Sequence, residues 1–148
     1  MGFRSFLHRL TAPKFQRYVH RDQSLKMVFV INHELKMGKG KIAAQVGHAA
    51  VKATLKSGEA RPELLDAWLS TGQKKICVKA DDARHIEQIE QQAKQHNVLS
   101  SKIHDAGHTQ IPAGSLTVLV LGPDEDEKLD ALTLSLIHIS EPTRPSII

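Results

Sequence analysis

Apolar and polar positions alternate along the chain in a way that separates two kinds of segment. Residues 26–32 and 116–122 are almost uninterrupted apolar runs, which predict strands buried on both faces. Two shorter runs, residues 75–79 and 98–103, predict two further strands. We therefore expect four strands, two of which lie inside a covered sheet.

Apolar residues at helical spacing fill the segments between these strands. Gly58 is expected to end the first helix, and Pro62 to begin the second. Asp81 or Asp82 is expected to cap the third helix, and acidic residues begin a fourth. The predicted helices cover, in order, about residues 41–56, 62–72 and 82–96, and a segment that starts at 124–127.

Strands that alternate with helices indicate an α/β domain in layers, with helices covering the sheet. The 148 residues suit a single domain, and 41% of them are hydrophobic. The single cysteine, Cys77, excludes an internal disulfide framework. No apolar run approaches the roughly 20 residues that span a bilayer, so the sequence predicts no membrane-spanning segment.

Positive charge is concentrated at the amino-terminal end of the chain. Residues 1–26 hold six basic residues and one acidic residue, Asp22, whereas residues 27–148 hold 14 basic and 15 acidic residues. We interpret residues 1–25 as a basic arm with the composition of a mitochondrial transit peptide. The alternative is a disordered basic tail that helps to hold nucleic acid. The expected location is mitochondrial, with the cytoplasm as the alternative.

The carboxyl-terminal segment, residues 134–148, breaks the helical spacing of the chain before it. Pro142 and Pro145 prevent a continued helix. The segment resembles the peptide obtained when sequencing-adaptor DNA is translated at the end of a truncated read. We interpret it as an irregular, non-native tail and place the folded body at residues 26–133. The alternative is a genuine variable tail.

The first candidate site is the glycine-containing loop between the first strand and the first helix. Gly38 and Gly40 allow a ligand to approach the backbone closely, and free N–H groups at a helix start favour an anion. Lys36, Lys39 and Lys41 add three positive charges within six residues. The alternative is a solvated loop with ordinary lysines. In the following helix, four polar residues are spaced to share a face, expected opposite the apolar one: Lys41, Gln45, His48 and Lys52.

The second candidate site is the loop of residues 105–114, directly before the last buried strand. It contains Asp105 and Thr109, and loops at strand ends are where α/β proteins place reactive groups. The alternative is a simple turn in which Asp105 caps the backbone. The loop alone does not decide between a reactive and a structural role.

Several other kinds of site lack the residues they require. The nine histidines show no H-E-x-x-H spacing, so we expect no metal and no cofactor. No G-x-S-x-G nucleophile motif is present, and neither is a phosphate-binding or dinucleotide-binding glycine motif. Cys77 lies inside an apolar strand, where a free cysteine is usually an unreactive core residue.

The candidate residues fall within short motifs: KMGKGKIAAQ at 36–45, HA at 48–49, GQ at 72–73, DAGHTQIP at 105–112 and TVL at 117–119. Together these motifs resemble the archaeal and eukaryotic, or type 2, peptidyl-tRNA hydrolase family over about residues 26–133. The resemblance implies a three-layer α/β/α domain with a four-stranded mixed sheet, usually a homodimer. It also implies metal-free hydrolysis of the ester that joins a peptide to the 3′ end of tRNA, which recycles tRNA in translation.

The same resemblance implies roles for individual residues. Lys41, Asp105 and Thr117 match the family's active-site set. Asp105 would orient or deprotonate a water, and Lys41 would balance the developing negative charge. The resemblance further implies supporting residues, Gln45, His48 and Thr109, and tRNA-binding residues, Lys36, Lys39, Lys52 and His108.

One position in the motifs departs from the family pattern, and one alternative function stays open. His108 stands where the family usually has Arg or Lys, which weakens the expected phosphate contact because a neutral imidazole lacks their permanent charge. The alternative function is a catalytically inactive tRNA-binding or protein-interaction module with the same fold. The presence of Lys41, Asp105 and Thr117 together favours the enzyme, with peptidyl-tRNA and a second copy of the chain as its partners.

Overall fold

The computed structural model describes residues 24–107, 111–134 and 136–138, and this part of the chain contains both strands and helices. The elements are β1 (Leu25–Asn32), a 3-10 turn (His33–Leu35), α1 (Lys39–Ala60), α2 (Pro62–Ser70), β2 (Lys75–Ala80), α3 (Ala83–Gln95), β3 (Ser100–His104), β4 (Leu116–Glu125), α4 (Asp126–Thr133) and β5 (Ile137–His138).

The strands form one mixed sheet in the order β3-β4-β1-β2-β5. β1 pairs parallel with β2 and antiparallel with β4, and β3 pairs antiparallel with β4. The four longer strands confirm the predicted four-stranded mixed sheet. The two-residue β5 extends the edge beside β2, with which it pairs antiparallel.

Side chains of β1 alternate between two apolar layers. Met27, Phe29 and Ile31 pack in a cluster that includes residues of α1 and α2. Val28 and Val30 pack in a second cluster, which includes residues of α3 and α4. All eight residues of β1 are buried because helices cover both faces of the sheet. The predicted α/β class and three-layer α/β/α arrangement are confirmed.

Helix α1 runs past the residue that was expected to end it. Gly58 lies within α1, which continues to Ala60. A glycine in a helix interior costs only about 1 kcal/mol relative to alanine, which this helix tolerates. Pro62 fixes the end instead, because a residue before proline is disfavoured in the helical region. Arg61 accordingly has φ −145° and ψ 65°.

Strand β4 also exceeds its predicted length. It was expected to end at Gly122, but it continues to Glu125 because its last residues pair with the start of β1. Leu25 lies opposite Glu125 and Lys26 opposite Asp124 in this ladder. The fourth helix therefore begins at Asp126.

The expected arm and tail lie mostly outside the described residues, which begin at residue 24 and end at residue 138. Within the expected tail, Leu136 is 7% exposed and belongs to the cluster beneath α3 and α4. The domain boundaries at residues 25 and 133 stay predictions. A truncation after residue 133 would remove the buried Leu136 side chain from this cluster.

Candidate active site

The beginning of helix α1 and the end of strand β3 bring the two candidate segments together. Lys41 and Gln45 lie one turn apart on α1, and Asp105 directly follows β3. The Lys41 ammonium forms an ion pair with Oδ1 of Asp105. The Gln45 amide donates a hydrogen bond to the same oxygen at 3.4 Å. Two residues 64 positions apart in sequence thus form a charged pair at one site.

Asp105 is held firmly by the backbone around it. Its side chain is only 2% exposed. Its N–H donates to the carbonyl of Ser115 at 2.9 Å, and its carbonyl accepts from the N–H of Gly114 at 2.9 Å. The N–H of Gly107 donates to Oδ2 of the carboxylate at 3.2 Å. Hydrogen bonds therefore reach both carboxylate oxygens, and the loop cannot carry Asp105 away without breaking several of them.

Glycine is required at position 107 for two separate reasons. The backbone φ is +87°, a region that residues with a Cβ rarely adopt. A Cβ there would also lie 2.8 Å from the Cβ of Ala113 across the loop. The glycine of the DAG motif thus lets the chain turn tightly enough to donate its N–H to Asp105.

Exposure differs sharply across the Lys41–Asp105 pair. The Lys41 side chain is 20% exposed, whereas the carboxylate with which it pairs is buried. Gln45 is buried, and its Oε1 has no hydrogen-bond partner in the described residues. A buried carboxylate, a cation and an amide oxygen with acceptor capacity form a polar set suited to holding and activating a water.

Thr117 lies beside this set, inside the sheet. It is fully buried, and its hydroxyl donates to the carbonyl of Ile103 at 3.0 Å, two residues before Asp105. The hydroxyl thereby ties β4 to the end of β3 that carries Asp105. The geometry supports a positioning role for Thr117, and its membership of the catalytic set stays a prediction.

The remaining predicted residues do not all meet at this point. His48 is exposed on α1, and Lys36 and Lys39 are exposed at the loop and at the start of the helix. Lys52 is exposed and donates to the carbonyl of Lys102 at 3.0 Å. Two predicted residues, His108 and Thr109, lie outside the described residues.

The polar stripe of α1 does not lie opposite the apolar face, contrary to our expectation. Gln45 is only 5% exposed, whereas His48 and Lys52 are exposed. The stripe therefore borders the face that packs on the sheet. Its first turns point toward Asp105, because β3 ends and β4 begins beneath them.

Asn32 is a buried polar residue at the end of β1 for which the sequence offered only a weak signal. It ends β1, and its side-chain amide donates to the carbonyl of Leu116 at 2.8 Å. Its Oδ1 accepts from the N–H of Glu34 at 3.2 Å, which caps the 3-10 turn. Asn32 thus fixes the loop before α1 to the start of β4. A polar residue closing an apolar strand was the available signal.

Other chemistries find little in the described ranges. No group of three or more His, Cys, Asp or Glu residues there is placed to hold a metal ion. None of the helices in those ranges has the length and apolar character needed to cross a membrane. Burial raises the pKa of the Cys77 thiol, which makes it a poor nucleophile.

The chain matches one protein family and several named relatives. Residues 25–139 match the family described as peptidyl-tRNA hydrolase PTH2. A peptidyl-tRNA hydrolase of Methanocaldococcus jannaschii is 44% identical over 109 residues, covering 74% of this chain and 95% of the relative. One from Thermoplasma acidophilum is 43% identical over 108 residues, covering 73% and 92% respectively. The Bos taurus protein named peptidyl-tRNA hydrolase 2, mitochondrial, is 45% identical over 108 residues, covering 73% and 60%.

Proposed function

The chain belongs to the peptidyl-tRNA hydrolase PTH2 family, and we propose that it cleaves the ester between a peptide and the 3′ end of tRNA at the Lys41–Asp105 pair. It is a hydrolase of peptidyl-tRNA, and the reaction recycles tRNA for translation. The observation that carries the proposed site is the ion pair between a buried carboxylate and a partly exposed ammonium.

Hydrolysis of this ester needs a water that attacks the carbonyl carbon. Asp105 is a fixed acceptor for a proton of that water, because hydrogen bonds from Gly107 and Gln45 hold its oxygens in place. As the water oxygen bonds to carbon, the carbonyl oxygen becomes negative. The bond to the ribose oxygen then breaks, and the proton passes to that oxygen. The products are a tRNA with a free hydroxyl and a peptide carboxylic acid, which releases its proton to solvent and leaves as the carboxylate.

We propose that the Lys41 ammonium stabilises the developing oxyanion. The Lys41 side chain is 20% exposed and that of Asp105 only 2%, so an ester that enters from solvent can meet the lysine. We propose that Gln45 orients the water through its buried Oε1, and that Thr117 positions the strand end. Supporting roles for His48 and Thr109 remain part of the same proposal.

The test of the function is release of N-acetyl-amino acid from N-acetyl-aminoacyl-tRNA by the full chain, with and without EDTA. We expect catalytic release that EDTA leaves unchanged. Activity that disappeared with EDTA and returned with zinc would contradict the mechanism. A chain that bound the tRNA tightly but released nothing would favour the alternative, an inactive tRNA-binding module.

Lys36 and Lys39 are proposed to contact tRNA phosphates beside the site. Both are exposed, and neither forms an ion pair among the described residues. We expect Lys36→Ala or Lys39→Ala to raise KM and leave kcat almost unchanged. Each lost phosphate contact should reduce the slope of log binding against log salt by about 0.9. The slope is measured between about 50 and 200 mM salt. An unchanged slope would show that these lysines only face solvent.

We also propose that two copies of the chain associate through α1. Val51 and Leu55 are 61% and 67% exposed, one turn apart on this helix. In a symmetric dimer Leu55→Lys removes two leucines, each worth about 1.5–3 kcal/mol when buried, so dimer affinity should fall at least about 100-fold. Sedimentation measures this loss. Leu134→Lys, on the α4 side and 86% exposed in the wild type, is the control that should leave the dimer intact.

We propose a mitochondrial location on the strength of the basic arm. The bovine relative is named as mitochondrial, which agrees with this proposal without deciding it. Residues 1–25 fused to a fluorescent reporter should direct it to mitochondria, because a basic, acid-poor segment suits import. A reporter that stayed in the cytosol would leave the arm as a basic segment that holds RNA. A fusion with its five arginines and lysines changed to glutamine is the matched control.

A further inference from the structure

A basic groove lies along strand β3, away from the Lys41–Asp105 pair. It has a volume of about 360 Å³ and is lined by residues of α1, α3 and β3. Beside two serines, its lining consists of Lys52, Lys56, Glu90, Lys94, Lys102 and His104. We call this feature the β3 groove.

The β3 groove concentrates positive charge on a body whose basic and acidic side chains are otherwise nearly balanced. Four lysines from three separate elements face one glutamate. Residues 27–148 as a whole carry 14 basic and 15 acidic side chains. The cluster is therefore a local feature of the fold, and a partner with closely spaced negative charges would complement it.

Two of these lysines are held in place by the edge of the sheet. β3 is the outer strand of the described sheet, so carbonyls on its outer side lack a strand partner. Lys52 donates to the carbonyl of Lys102 at 3.0 Å, and Lys56 to that of Ser100 at 2.6 Å. An ammonium has three donors, so each of these lysines retains two for a ligand.

Glu90 orders the other two lysines without neutralising the groove. Its carboxylate lies 2.6 Å from Lys94 and 3.4 Å from Lys102. Burial opposes ionisation of Glu90, but hydrogen bonds and charge from the two lysines outweigh it and lower its pKa. Glu90 is thus a fixed anion between two cations, and four lysines against one glutamate leave the groove with an excess of positive charge.

Two elements, α1 and β3, connect the β3 groove with the active site. His104, in its wall, immediately precedes Asp105. Lys52 follows Lys41 by eleven residues on α1, which is about 16 Å along a helix axis. When the ester of a tRNA substrate lies at Lys41, nucleotides several positions from its 3′ end would therefore reach the groove.

We propose that the β3 groove binds the sugar-phosphate backbone of the acceptor stem of tRNA while the ester lies at the active site. This inference rests on the proposed function and adds a second contact region to it. Lysines and serines suit phosphates and ribose hydroxyls. The lining has no Phe, Tyr, Trp or Arg, and His104 is its single ring, so backbone contacts should dominate and binding should depend little on base sequence.

The test compares a full substrate with one that cannot reach the groove. N-acetyl-aminoacyl-tRNA is the full substrate, and the same N-acetyl-amino acid esterified to adenosine is the minimal one. The double variant Lys56→Gln/Lys94→Gln retains hydrogen-bonding side chains and removes two charges. We expect the ratio of kcat/KM on the full substrate to that on the minimal one to fall roughly 3- to 30-fold. Glu90→Gln should raise the same ratio.

A second double variant provides the matched control. Lys75→Gln/Lys128→Gln removes two charges from β2 and α4, away from the groove, and should leave the ratio at its wild-type value. A groove variant with the wild-type ratio would overturn the proposal. If the wild type released nothing from either substrate, the function would fail separately. Affinity of the same variants for uncharged tRNA would then decide, and an unchanged Kd would overturn the groove.

Discussion

Replacing Asp105 by asparagine should lower kcat on N-acetyl-aminoacyl-tRNA by about 10²- to 10⁴-fold, the usual contribution of a general base, and change KM little. The asparagine preserves the shape that the loop holds through Gly107 and Ser115. It removes the charge that accepts a proton from water. It also leaves the Lys41 ammonium without its anion. The measurement is a steady-state comparison of kcat and KM on the full substrate.

The control for this variant is Asp66→Asn, on the exposed side of α2. It makes the same aspartate-to-asparagine change outside the site. Thermal melting of Asp105→Asn establishes that the body remains folded. A folded Asp105→Asn protein with a near wild-type rate would place the chemistry elsewhere.

Replacing Lys41 by methionine should lower kcat by about 10²- to 10³-fold, the usual effect of removing one group that stabilises an oxyanion. Methionine keeps most of the length of the side chain and removes its charge. Lys41→Arg should recover part of the rate, because it restores a cation of different shape. Both variants are measured in the steady state for kcat and KM and also under single-turnover conditions, which separate the chemical step from product release.

The control for the methionine variant is Lys128→Met on α4, which should retain the wild-type rate because it lies outside the site. If Lys41→Met changed KM alone, the ammonium would act in substrate binding rather than in stabilising the transition state.

The sheet could be predicted from the sequence because its signal is local. A strand buried on both faces needs apolar residues throughout, as β1 and β4 have. The ends of elements were less predictable, because competing effects decide them. Gly58 was expected to end α1, but the constraint before Pro62 acts more strongly than a glycine that a helix tolerates.

The site could be predicted only as separate segments. Spacing places Lys41 and Gln45 on one helix, but it cannot bring α1 to Asp105, 64 residues further on. The strand pairing does that, because the end of β3 lies beside the start of β4, beneath the start of α1. The resemblance of the motifs to one family, rather than their spacing, indicated that the segments of Lys41 and Asp105 form one site. The burial of Gln45 was not predicted, because a glutamine in a polar stripe ordinarily faces solvent.

The β3 groove was even less predictable from the sequence than the active site. Lys52 was expected to contact tRNA, whereas Lys56, Lys94 and Lys102 drew no attention in the sequence. Each is an ordinary surface lysine in its own element, and only the packing of α1 and α3 against β3 brings them together. Residues 27–148 carry nearly equal numbers of basic and acidic side chains, so counting charges along the sequence did not indicate the groove.

The measurement that tests the central claim most directly is a double-mutant cycle across the ion pair. Single-turnover rates on N-acetyl-aminoacyl-tRNA are compared for the wild type, Lys41→Met, Asp105→Asn and the double variant. If the pair acts as one catalytic unit, the double variant should be about as slow as the slower single variant, because residues that act together are strongly non-additive. Losses that simply multiplied would show two independent residues and contradict the account.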